Sequence, residues 1–139
     1  MPASLNQGSM TLFDVAQRAM SAQLVRMNAA SSNLANAGTV SGSEAEAYKP
    51  IRAVFAESLD RQTGLSTVDV RAVFRSKEAA IREHDPFNPL ANADGDVFTA
   101  PVDESAEMVE MLDASRQYQN LVEALSTAKQ LMLETMRMK

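Results

Sequence analysis

The chain has 139 residues, a net charge of −5 at neutral pH, nine Met, no Trp and no Cys. That length suits one compact domain, or a helical core with a small insert. Without Cys there is no disulfide framework, no cysteine zinc site and no thiol nucleophile, and the acidic balance argues against a nucleic-acid binder, which needs a dense basic patch.

Residues 1–10 are polar and rich in helix breakers (Pro2, Ser4, Asn6, Gly8), which predicts a flexible tail. The stretch has no basic residue and no apolar core, so it does not read as a secretory signal peptide. Thr11 is the predicted N-cap of a first helix, with Asp14 as a first-turn acid. The helix should run to about Ala37 and stop at Asn36 and Gly38, both tolerant of the left-handed conformation. Within it Phe13, Ala16, Met20, Met27, Ala30 and Leu34 follow a 3-4 spacing interrupted by Gln23. That is the seam of a coiled coil or helix bundle. Only three charges, Asp14, Arg18 and Arg26, lie on this helix, and Ala19, Ala22, Ala29 and Ala30 allow close approach. More than one of its faces should therefore be covered in the working state.

Residues 38–50 read as loop, broken by Gly38, Gly42 and Pro50. Residues 51–59 and 66–75 read as two strands turned by Gln62-Thr63-Gly64. The second puts Val68, Val70, Ala72 and Phe74 on one face, with Asp69, Arg71 and Arg75 on the other. Residues 76–83 fit either a helical turn or a third strand. Residues 84–96 read as loop, with Asp94-Gly95 as a tight turn, and 97–102 as one more short strand.

Asp103 or Ser105 should cap a last helix of about 35 residues. Glu104, Glu107 and Glu110 crowd its start while Arg137 and Lys139 sit at its end, which suits the helix dipole. Its apolar stripe is Met108, Met111, Tyr118, Val122, Leu125, Met132 and Met136, interrupted by Ser115 and Lys129. The predicted fold is thus mainly α with a small β insert. Long N- and C-terminal helices pack as an antiparallel coiled-coil-like pair, and a β-hairpin and loop region lies between them. Residues 11–37 with 104–139 form the helical assembly core, and 38–103 the insert.

Active-site chemistry is absent from the pattern. The single His84 has only ordinary neighbours in Glu83 and Asp85. Asn92, Asp94, Gly95 and Asp96 lack the spacing and the closing Glu of a calcium loop. No phosphate loop or nucleophile elbow occurs, so neither a metal nor a cofactor is expected. Residues 49–82 carry a modest basic excess, which reads as a solvated hairpin face or a surface for an acidic neighbour.

Two segments resemble a known family. Ser32-Asn33-Leu34-Ala35-Asn36-Ala37, followed by Tyr48-Lys49, is similar to the N-terminal signature of the axial proteins of the bacterial flagellum. Glu107-Met108-Val109-Glu110-Met111, Ala114-Ser115-Arg116-Gln117-Tyr118-Gln119 and Thr127-Ala128-Lys129 resemble their C-terminal helix. The short length and Asp85-Pro86 to Asn88-Pro89 narrow the resemblance to proximal-rod members. It covers nearly all of residues 11–139; Ala47 stands where the family has Gly.

The resemblance implies a structural subunit, not an enzyme. It implies a helical tube in which Phe13, Met20, Met27, Asn33, Leu34, Asn36 and the Met108–Met136 stripe meet neighbouring subunits, with amides bonding across without burying a charge. The implied partners are copies of the chain, the rod proteins FlgB, FlgF and FlgG, and FliE at the rod base. Nucleic acid, small-molecule substrates and membrane insertion are not expected. The implied location is the periplasmic rod, reached unfolded through the flagellar type III apparatus. The rival reading from the helices alone is a cytosolic coiled-coil adaptor or export chaperone.

Overall fold

The computed structural model describes residues 11–138; the expected tail and Lys139 lie outside the described residues. Helix α1 spans Leu12–Ala35, and the last helix, α2, spans Glu104–Arg137. Five strands lie between them: β1 Val40–Ser41, β2 Ile51–Leu59, β3 Ser66–Arg75, β4 Ile81–His84 and β5 Asp96–Thr99.

A capping box starts α1. The Thr11 hydroxyl accepts from the Asp14 amide at 3.2 Å, and the Asp14 carboxylate accepts from the Thr11 amide at 2.8 Å. Those hydrogen bonds, the backbone one foremost, hold the Asp14 carboxyl below its ordinary value. The other end differs from expectation. Asn36 is not left-handed, with φ −110°, and Gly38 has no positive φ. Instead the Asn36 amide N–H donates to the Ser32 and Asn33 carbonyls, and its side chain donates to Ser32 O at 2.8 Å. Asp103 caps α2 by accepting from the Ala106 amide.

Strands β2 and β3 form the predicted two-stranded hairpin. Gly64, at φ +71°, closes its turn, and Asp60 braces it through Leu65 O, Gly64 N and its own carboxylate on the Gln62 amide. The expected face of Val68, Val70, Ala72 and Phe74 does not form. Val54 pairs with Ala72 and Phe55 with Val70, so Arg71 is an extra residue without a partner on β2. Such a bulge shifts the two-residue alternation by one. Val68 and Val70 therefore share a face with Val73, while Ala72 and Phe74 join Thr67 and Asp69. The hairpin leans on α1 through Arg18 and Asp69, 3.3 Å apart at the surface.

A second sheet, ordered β1-β5-β4, is separate from the hairpin and antiparallel throughout. It takes β1 out of the predicted 38–50 loop. It also resolves 76–83 into irregular chain followed by β4, and puts His84 in a strand. Asn92 shapes the connection from β4 to β5, accepting from the Asp94 and Asp96 amides through its side chain. Gly95 completes the tight turn at φ +78°, where a Cβ would lie 3.0 Å from the His84 ring.

Asp96 is buried at the start of β5 and receives both Arg82 and His84, the latter at 2.9 Å. His84 first, and then Arg82, hold its carboxyl below the usual range. A carboxylate with a depressed folded-state pKa stabilises above its unfolded value and loses that contribution as pH falls through the folded one. Asp96→Asn should therefore melt below the parent at pH 7. The gap should narrow as pH falls below the ordinary carboxylate range and close once the parent's carboxyl is itself protonated. A gap that persists there would sink this account of the bond.

Candidate assembly interface

Helix α1 lies antiparallel to α2. Leu12, Val15, Ala16 and Ala19 share an apolar recess with Leu121, Ala124, Leu125 and Ala128, while Arg26 farther along meets Glu110 and Asp113. The buried contacts between the helices are small: Ala22, Ala29, Ala30 and Ala114, the last with no exposed surface. Side chains of that size let the two backbones approach closely.

The positions that α2 turns inward include Glu107, Met111, Ala114, Tyr118, Leu121, Leu125 and Ala128. They follow a 4-3 alternation of their own. Met111, Tyr118 and Leu125 belong to the predicted stripe as well. Met108, Val122, Met132 and Met136 fall beside this internal seam and are 52%, 40%, 52% and 71% exposed. Two stripes of equal period lie side by side on this helix. The chain folds on the one with smaller side chains, and the more apolar one is left outside.

Charged groups bracket the upper part of the seam. Arg26 donates to Glu110 at 2.6 Å and to Asp113 at 2.9 Å, and Glu110 is the main cause of its raised pKa. Glu107 is buried, and Arg52 of β2 covers its carboxylate. An isolated carboxylate at that depth would carry a large desolvation cost, so the pair ties the base of the hairpin to the first turn of α2. Neither Arg52 nor Glu107 stood out as a pair in the sequence, because 55 residues separate them.

Asn33 occupies the junction of α1 and the hairpin and has no exposed surface. Its carbonyl oxygen accepts from Ile51 N at 2.7 Å and from the Tyr48 hydroxyl at 2.9 Å. Its amide nitrogen donates to Ile51 O at 3.1 Å. The side chain thus pairs with the first residue of β2 as a neighbouring strand would. Ser32 extends the network to the Tyr48 hydroxyl at 3.0 Å. The amide expected to reach a neighbouring subunit is committed inside its own chain. Asn36 is likewise bonded within α1, through Ser32.

The remaining predicted residues line or border the outer surface. Phe13, Met20, Val122 and Leu125 meet in one open apolar recess with Ser126 and Lys129. Met27 and Leu34 are half-buried along α1. At about 1.5 Å per residue, α2 is roughly 15 Å longer than α1. Its last turns run past Leu12, and residues 129–138 are all exposed, among them Leu131, Met132, Leu133 and Met136. Monomeric proteins seldom leave so continuous an apolar stripe in water. Among the described residues no His, Asp or Glu group could hold a metal, and no helix is long and apolar enough to cross a membrane.

Paired terminal helices with an unsatisfied outer stripe define an axial assembly protein, and comparison with known proteins places that class in the flagellum. Residues 13–41 match the family described as flagella basal body rod protein, and residues 99–138 match the flagellar basal body rod FlgEFG protein C-terminal family. The first span takes in nearly all of α1 and runs on through β1, and the second contains α2. Over 129 residues, 91% of this chain and 95% of the relative, the sequence is 40% identical to the flagellar basal-body rod protein FlgC of Salmonella typhimurium. It is 39% identical to the FlgC of Escherichia coli O6:H1 over 127 residues, covering 91% of this chain and 95% of the relative. The FlgC of Agrobacterium fabrum is 27% identical over 122 residues, covering 87% of this chain and 88% of the relative. The chain belongs to the FlgC family of flagellar basal-body rod proteins. It is a structural subunit of the flagellar rod and not an enzyme.

Proposed function

We propose that this chain polymerises with copies of itself and with the rod proteins FlgB, FlgF and FlgG, meeting FliE at the rod base, to build a helical tube. The tube transmits torque from motor to hook, and its lumen passes later export substrates outward. The subunit reaches the periplasmic rod unfolded through the flagellar type III apparatus. Residues 11–37 and 104–139 form the assembly core, and 38–103 an outward-facing insert.

The observation that carries this reading is the apolar stripe outside the internal seam. Phe13, Met20, Met27, Leu34, Met108, Val122, Met132 and Met136 lie on helices already joined through their alanine faces, so their complement must come from another subunit. Met111, Tyr118 and Leu125 border both surfaces, and Asn33 and Asn36 support the end of α1 from within. Stiffness then arises from many parallel helix contacts, each modest.

Mass spectrometry of salt-washed, detergent-extracted hook–basal bodies tests the assignment. The chain should be present in amounts comparable with other rod subunits. Basal bodies that are intact and lack it, with the chain confined to the cytosol, would return the helices to an adaptor or export chaperone.

A further inference from the structure

We propose that the outer part of the β2–β3 hairpin docks onto the first turns of α2 in a neighbouring copy of this chain. The inference rests on the rod-assembly reading and concerns a surface separate from the helical stripe.

The hairpin is a two-stranded sheet with apolar side chains in solvent on both faces. Leu59, Val68 and Val73 are exposed on one face, and Phe74 on the other. Two strands bury little on their own, so such a ribbon needs a further surface to lean on. Its free charges are mostly positive. Arg61 and Arg71 are exposed and form no ion pair among the described residues. Arg71 is the extra residue of the bulge, a device that re-aims a side chain away from the ladder.

The start of α2 is the complement. Residues 103–113 hold five acids and no base, and among the described residues only Arg26 and Arg52 form ion pairs with them. Glu104, Met108 and Leu112 follow one another at i, i+4 and i+8, an acid leading two apolar side chains along one exposed face. Among the described residues nothing covers this face. β2 meets the start of α2 on another side, where Arg52 reaches Glu107 and Ala53 and Phe55 share a recess with Ala106 and Glu110, while Met108 and Leu112 stay exposed. A basic, apolar ribbon and an acidic, apolar helix start on the same molecule make a head-to-tail contact. Such a heterologous contact generates rings or open helical rows, as a tube wall requires.

The test places the photo-cross-linking residue benzoyl-phenylalanine at Val73, which is exposed, and irradiates cells before basal bodies are isolated. The expected product has twice the 15.1 kDa mass of the chain, with its cross-link in residues 104–112 of the second copy. A cross-link to another protein, or to another segment of this chain, overturns the docking while the chain's presence in basal bodies keeps the rod reading. Absence of the chain from basal bodies overturns both. A charge exchange gives an independent readout. Arg71→Glu should cut swimming speed at least twofold, and Glu104→Arg in the same chain should restore most of it. A double variant no faster than Arg71→Glu alone counts against the contact.

Discussion

Replacing Met132 by Glu should abolish swimming while leaving the isolated chain nearly unchanged. Met132 is half-exposed on the overhanging part of α2 and lies outside the internal seam. Surface substitutions of that kind shift stability by about 0.5 kcal/mol or less. In the rod the same position would sit against a neighbour, where a buried unpaired carboxylate costs on the order of 3–5 kcal/mol. That is a loss of roughly a hundredfold or more in each contact. Met132→Leu conserves volume and apolarity, costs less than about 1.5 kcal/mol and should swim. Circular dichroism melts of the purified chains, paired with a motility assay, separate the two effects. Normal swimming by the Glu variant would remove Met132 and its stripe from the interface.

Asn33→Ala should have the largest effect on the fold itself. Removing the amide, itself fully enclosed, leaves Ile51 N and Ile51 O without their side-chain partner and takes one from the Tyr48 hydroxyl, at half-buried residues. Each buried group left unsatisfied costs about 1–3 kcal/mol, so the total is about 3 kcal/mol or more. For a domain stable by about 5–15 kcal/mol this is a large share. The melting temperature should fall by about 10 °C. Asn33→Asp should do no better, because it sets a carboxylate oxygen against Ile51 O. Tyr48→Phe, which keeps both Ile51 bonds, should cost about 1 kcal/mol. A fall of less than about 3 °C for Asn33→Ala would mean that water or a backbone shift replaces the amide.

The amide at Asn33 also explains how much a short motif can hide. Within Ser32-Asn33-Leu34-Ala35-Asn36-Ala37 the two amides look equivalent, both suited to bonding a neighbour. Their fates differ because Asn33 faces the incoming strand and Asn36 ends the helix. Direction relative to an element 18 residues away is not written in the motif. The apolar stripe of α2 has the same character. Its period was legible, but a second stripe of alanines, Glu107 and Leu121 lay beside it. Hydropathy alone ranks the Met-rich stripe higher.

Local chemistry sufficed for much of the architecture. Thr11 with Asp14, and Asp103 with Ala106, mark helix starts through hydrogen bonds spanning three residues. The bounds of β2 and β3, and the turns at Gly64 and Gly95, follow from alternation and from residues that accept positive φ. Those features depend on neighbours in the chain and can be read from it directly, along with the family to which its two signatures point. The pairing of Val40 with Thr99, the bulge at Arg71, the burial of Glu107 under Arg52 and the face on which the helices meet emerge only on folding. Each joins residues far apart along the chain or weighs two surfaces of equal period, and only packing in three dimensions distinguishes them.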